Sequence, residues 1–157
     1  MLNKNTLMSL IMAAFMLFSP AAFAVDSSEL IEARQGLMKL YSVNMDMLGE
    51  MIRRIQPYDK KKAKDAADNL LALSRLKQGA LWPTGTGLAS KSLGTKTSAK
   101  PEIWIQKENV AQKQKDLVAA LEILSRDAGW SLRNLEDSIT AVNKACKGCH
   151  KDFRARK

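Results

Sequence analysis

Three observations predict an all-α fold, an antiparallel four-helix bundle. Four segments carry apolar residues at alternating steps of three and four, the period of one helix face. No stretch carries a strand signal. Nothing repeats internally, so a stacked solenoid is not indicated.

In the first segment Asp26 offers an N-cap and Glu29 a returning carboxylate. From Leu30 the seam runs through Arg34, Met38, Tyr41, Met45, Leu48, Ile52 and Ile55. The helix is expected to end before Gln56-Pro57-Tyr58-Asp59, because the residue before a proline is disfavoured in helical geometry. Asp59 then caps a second helix that opens with Lys60-Lys61-Lys62. Its inward stripe is Ala63, Ala66, Ala67, Leu70, Leu73 and Leu76, and Gly79 marks its end. After Leu81-Trp82-Pro83, residues 84–100 are rich in Gly, Ser, Thr and Lys and have no apolar period. They read as a long loop, either a plain crossover or a segment lining a bound group.

Pro101 suits the first turn of a third helix, with Glu102 near its positive end. The seam continues through Ile103, Lys107, Val110, Gln114, Leu117, Leu121 and Leu124, and Asp127-Ala128-Gly129-Trp130 breaks it. Ser131 caps the last helix. There Leu132, Leu135, Ile139, Val142, Cys146, Cys149 and Phe153 form one stripe. Both cysteines therefore fall on the core face, with His150 one turn past Cys146.

The stretch Cys146-Lys147-Gly148-Cys149-His150 reads as a covalent haem c attachment site. Two thiols three apart can add to both vinyl groups of one porphyrin, and the imidazole after them reaches the iron as axial ligand. These are the only cysteines and the only histidine in the chain. Three other readings compete. A zinc site would need about three or four protein ligands, so acidic residues would have to complete the set. A thioredoxin-type pair would need a preceding strand, whereas the upstream sequence is helical. A Cys146–Cys149 disulfide would close too short a loop to constrain much of the unfolded chain. The haem reading inserts one haem c between facing helices near one end of the bundle.

Residues 1–24 read as a cleaved signal peptide: Lys4, an apolar run from Leu7 to Phe18, and Ala22-Phe23-Ala24 as the cleavage site. The mature chain is then 25–157, one bundle domain. The run is too short to span a bilayer and no stop-transfer charges follow, so no membrane span is expected. Export agrees with the haem reading, because bacterial c-type haem is attached outside the cytoplasm; the expected location is the periplasm. Removing Lys4 from the 25 basic residues leaves 24 against 16 acidic, a net charge of +8. Such a surface favours acidic partners, an anionic membrane surface or nucleic acid, and reads mostly as a solvated face that steers a protein partner. No nucleic acid is expected, since the chain is exported and its lysines are not interleaved with aromatics.

An arginine on an apolar seam is costly unless an anion meets it. Haem carries two propionates, so Arg34 is a candidate propionate partner, and Met38, one turn on, a candidate to lie over the ring. Alternatively Arg34 snorkels out near the helix start, and the methionines at 38, 45, 47 and 51 are plain core.

The C-terminal Cys-x-x-Cys-His, Arg34-Gln35-Gly36-Leu37-Met38 on the first helix, Leu81-Trp82-Pro83 and Pro101-Glu102-Ile103-Trp104 together resemble class II cytochrome c, specifically cytochrome c′. The resemblance covers essentially the whole mature chain. It implies covalent haem at Cys146 and Cys149 and proximal ligation by His150. It places Arg34 and Gln35 by the propionates, Met38 over the distal face without bonding iron, Arg154 near the proximal histidine, and the backbone around Ser98 beside a propionate. The family usually has leucine at the position of Met38. Low-spin members of the class use a methionine from this helix as sixth ligand, which keeps a six-coordinate His/Met electron carrier as the alternative. Arg34, four residues earlier, favours the five-coordinate form. The resemblance also implies a homodimer.

The function expected is electron transfer to or from a redox partner protein of acidic surface, binding of small diatomic gases such as NO and CO, or both. A haem peroxidase would want a distal acid–base group, and no second histidine exists to supply one; the chain is therefore not expected to be an enzyme. A haem-free helical adaptor would leave Arg34 and the cysteine–histidine motif unexplained.

Overall fold

The computed structural model describes residues 26–88 and 97–156. The signal peptide expected over residues 1–24 lies outside the described residues, as does the middle of the long loop, residues 89–96. The described elements are helices: α1 (Ser27–Ile52), α2 (Lys60–Ser74), a 3-10 turn (Gly79–Leu81), α3 (Glu102–Ile105), α4 (Lys107–Asp127) and α5 (Leu132–Phe153). The four long ones form an antiparallel bundle. None is long and apolar enough to cross a membrane.

All three expected N-caps are in place. Asp26 accepts from the Ser28 amide, Asp59 from Lys62 at 3.0 Å and Ser131 from Asn134 at 3.1 Å. Each satisfies an amide that the first turn leaves without a partner. Leu48, Leu70, Leu121, Leu124, Leu135 and Val142 form the fully buried centre, with the small stripe Ala63, Ala66 and Ala67 letting α2 approach closely.

The helix ends differ from expectation. Helix α1 stops at Ile52, not beside Pro57, and Ile55 is 62% exposed rather than on the seam. The amide of Ile55 donates to the Glu50 carbonyl at 2.9 Å and that of Arg54 to Met51 at 3.1 Å, a Schellman closure with Arg54 left-handed at φ 58. Helix α2 ends at Ser74, leaving Leu76 exposed, because Gln114 of α4 donates to the Ser74 carbonyl at 2.5 Å and closes it there. The expected single third helix is two, broken at Gln106 (φ −98, ψ 54). Trp104 holds the short α3 against the loop, its Nε1 donating to the Trp82 carbonyl at 3.0 Å, while α4 must lie along α2 and α5. One straight helix cannot serve both directions.

The buried face of α1 is also displaced, to Ile31, Arg34, Leu37, Asn44, Leu48 and Met51. Met38 is 41% exposed, and Tyr41, Met45 and Ile52 are partly buried against the core. A helix with two neighbours buries more than the narrow stripe its strongest apolar residues mark.

The connections sort the molecule into two ends. Tyr58 of the first connection donates to the Ala128 carbonyl of the last at 2.8 Å, so both short connections share one end. The opposite end holds the N-terminal half of α1, the long crossover and the C-terminal end of α5.

Arg54 occupies a backbone conformation that favours glycine, at a cost of about 1 kcal/mol. Its ion pair with Glu136, 3.6 Å long and mostly exposed, offsets little. Arg54→Gly is therefore expected to raise the urea midpoint, by roughly 1 kcal/mol of stability. An unchanged or lower midpoint would contradict the strain.

Candidate functional site

The site is assembled where α5 ends against the crossover and the first half of α1. Ser131 starts α5, and the buried spacing of Leu135, Ile139 and Val142 carries the core face on to half-buried Cys146 and Cys149. Both thiols are free, with no disulfide between them. Burial pushes both thiol pKa values up. The shift favours the neutral thiol over the thiolate at both positions.

From the facing helix, Tyr41 comes close enough to Cys146 to interact with it electrostatically. Its phenol pKa is pushed up to about 12, first by burial, with Cys146 adding to it and a bond to Gln78 opposing it. Met38, Tyr41 and Met45 stand at steps of three and four, so they share a face. Of this face, Tyr41 is the residue that reaches Cys146.

His150 lies just past Cys149 and is exposed as a residue; partial desolvation of its ring, then the charge of Arg154, pull its imidazole pKa below the ordinary value. A neutral imidazole is the form that binds iron. Arg154 follows α5 directly: its amide donates to the His150 carbonyl at 3.0 Å, and its backbone bridges Ala99.

Arg34 does not snorkel; it is 3% exposed. Its Nη1 donates to Thr86 Oγ1 at 2.7 Å and to the Leu81 carbonyl at 3.3 Å. Its Nη2 donates to the Thr86 carbonyl and to Thr97 Oγ1 at 3.0 Å. The guanidinium lies 4.6 Å from the centroid of the Trp82 ring, a cation–π contact. Burial lowers its pKa, and with every one of these partners uncharged it remains a buried cation. Gln35 is exposed beside it.

The crossover is tied at both ends. The Leu88 amide donates to the Ala99 carbonyl at 2.9 Å. Gly87 lets Trp104 in: a Cβ there would lie 2.7 Å from the indole. The Ser98 carbonyl accepts from Ala155 at 2.8 Å, so Ser98 sits beside the C-terminal tail. Thr86, Thr97 and Tyr41 were not singled out from the sequence. Tyr41 was on the seam; the threonines are two among many in a polar loop, and no local signal marks them.

The donor set fits a covalent haem better than a bare ion. Among the described residues no three His, Cys, Asp or Glu side chains converge on one point. A porphyrin supplies four nitrogens and needs from the protein only an axial ligand and anchoring thiols.

The sequence profile of the cytochrome c′ family matches residues 29–154. A cytochrome c-554 of Cereibacter sphaeroides is 32% identical over 127 residues, 81% of this chain and 93% of the relative. A cytochrome c′ of the same species is 30% identical over 154 residues, 98% of this chain and 99% of its own. A solved cytochrome c′ from Rhodobacter sphaeroides superposes with a TM-score of 0.79 at 29% identity, over 85% of this chain and 100% of that one. The helices, their order and the chain-long match agree: this chain belongs to the cytochrome c′ family of c-type cytochromes, four-helix bundles that bind one covalent c-type haem.

Proposed function

We propose that this c-type cytochrome works in the periplasm, after removal of residues 1–24, as an electron carrier that also binds small neutral gases such as NO and CO. Cys146 and Cys149 anchor the haem and His150 ligates the iron. Met38 covers the distal side, Arg34 and Gln35 face the propionate side, Arg154 stands behind the histidine, and the Ser98 backbone borders the rim. The bound haem supplies a one-electron iron couple and, with a single protein ligand, one open coordination position. The observation that carries the reading is the pairing of two faces: half-buried Cys146 on α5 and Tyr41 on α1, with Met38 one turn away. Met38 is unbranched and flexible, so it can shield the open position from water and anions and yield to a neutral diatomic. The chain acts as a carrier and not as a catalyst, because His150 is the only histidine and none remains for distal acid–base work. By likeness to its family it works as a homodimer.

The absorption spectrum of the reduced protein tests the ligation. A broad high-spin spectrum is expected. A low-spin spectrum with a sulfur-to-iron band would instead favour the six-coordinate reading, which the presence of a thioether at position 38 keeps alive. On the five-coordinate reading Met38→Ala opens space above the iron and speeds CO binding about tenfold, equivalent to roughly 1.4 kcal/mol of barrier. A slower or unchanged rate in flash photolysis would count against Met38 as the cover.

Cys149→Ser removes one of the two anchors. Haem staining on denaturing gels should weaken, and the melting temperature should fall by about 5 °C as the cofactor's contribution to the folded state is lost. Equal staining and an equal melt would remove Cys149 from the attachment model.

Arg34→Leu leaves four oxygen acceptors without their donor, costing about 2 kcal/mol or more. The expected readouts are faster amide exchange at residues 82–88 and a displaced midpoint potential. Arg34→Lys should not rescue, because one ammonium cannot reproduce the planar fork. A midpoint equal to wild type would detach Arg34 from the haem and leave it a clamp on the loop.

A further inference from the structure

Three lysines on the haem-bearing helix stand without compensation. Lys144, Lys147 and Lys151 recur at steps of three and four on the face of α5 that points away from the core, and with Thr140, Asn143 and Gly148 they line an open groove. Lys147 and Gly148 lie between the two cysteines, so the groove wall is the outer side of the attachment motif itself. No carboxylate among the described residues forms an ion pair with any of the three. The neighbouring Lys113 is neutralised by Asp152 at 3.2 Å. The opposite end of the bundle is different. There Lys61 pairs with Asp65, Lys64 with Asp68, Arg126 with Asp127 and Arg54 with Glu136. Arg53, Lys60 and Lys62 at that end also lack an ion pair among the described residues; what sets the three α5 lysines apart is their place, on the outer side of the Cys146–His150 motif.

We propose that this face of α5 is the docking surface for an acidic one-electron redox protein. The proposal rests on the reading that haem is held at Cys146 and Cys149. From Thr140 to Lys151 the face is about 17 Å long at 1.5 Å per residue, the scale of a small, transient electron-transfer contact. Rim lysines of this kind steer encounter more than they add affinity, which suits a carrier that must leave after each transfer. The lining is polar or small, with no large apolar side chain to enter a bilayer interface. Trp130, the exposed aromatic that would suit a membrane, sits at the other end of the molecule. In the reaction one electron passes from the partner's reduced centre to ferric iron, giving ferrous iron, and no bond or proton moves.

The test uses reduced plant-type ferredoxin, an acidic one-electron donor, mixed with the ferric holoprotein in a stopped-flow instrument. The wild-type second-order rate should fall as salt is raised. Lys144→Glu/Lys151→Glu should cut the low-salt rate about tenfold or more and abolish its salt dependence. The neutral pair Lys144→Gln/Lys151→Gln should give an intermediate rate and guards against a charge reversal that harms folding. Lys60→Glu/Lys62→Glu, at the far end, should stay within about twofold of wild type. Haem staining and the optical spectrum are recorded for every variant. Absence of haem in the wild type would defeat the cofactor reading, whereas intact haem with equal losses from both ends would overturn the docking face alone. Flotation with phosphatidylglycerol vesicles gives the remaining outcome. Vesicle binding lost in the α5 variants while the ferredoxin rate holds would replace the protein partner with a lipid surface.

Discussion

A buried guanidinium met by neutral oxygens organises the end of this bundle that carries the Cys146–His150 motif. Taking a cation out of water costs several kcal/mol, and here no carboxylate among the described residues returns it. The return comes from four hydrogen bonds and the face of Trp82. These acceptors belong to the crossover, so the cost of burying Arg34 is offset only while the crossover is folded over α1. Thr86 is the hinge of this arrangement, since its hydroxyl accepts from Arg34 and donates to the Pro83 carbonyl at 2.8 Å. The loop that carries no apolar period is therefore held by polar bonds to one charge.

That charge also reaches α5 through the chain. Beyond Thr97 the crossover bridges the C-terminal tail, Ala99 against Arg154, and the Lys100 amide donates to the Phe153 carbonyl at 3.0 Å. Arg34 on the first helix and His150 on the last are thus fixed by one segment of main chain. Lys61 and Asp65 at the other end could be exchanged for other polar residues with no such consequence, because their ion pair joins neighbouring turns of one helix.

The starts of the helices were legible in the sequence because capping is local chemistry, a side-chain oxygen meeting an amide two or three residues on. Their ends were less so. The Schellman closure of α1 uses an arginine where glycine is the recognisable signal, and the break at Gln106 follows from a tryptophan docking 22 residues back in the chain. The cofactor end shows the same division. Two cysteines and a histidine at fixed spacing announce their chemistry, and Arg34 announces itself as a misfit on an apolar seam. What satisfies Arg34 does not, because Thr86 and Thr97 look like any other loop threonines until the fold brings them in. The seam of α1 was legible only in part for a related reason: Tyr41 reaches Cys146 of α5 while Met38 stays 41% exposed, and helical period cannot distinguish a helical neighbour from a bound ring.

The end of α5 sets a conflict that the surrounding residues resolve. The negative pole of a helix favours a cation in its last turn, which would raise the pKa of His150 and protonate the nitrogen proposed to bind iron. Lys100 takes that role instead, its Nζ donating to the carbonyls of Lys151 at 3.1 Å and Asp152 at 3.2 Å. Arg154, one residue past the helix, adds a second positive charge that repels a proton from the imidazole. Burial acts in the same direction. The helix pole is thus satisfied by cations other than the histidine, and the imidazole beside the two cysteines is biased toward its neutral form.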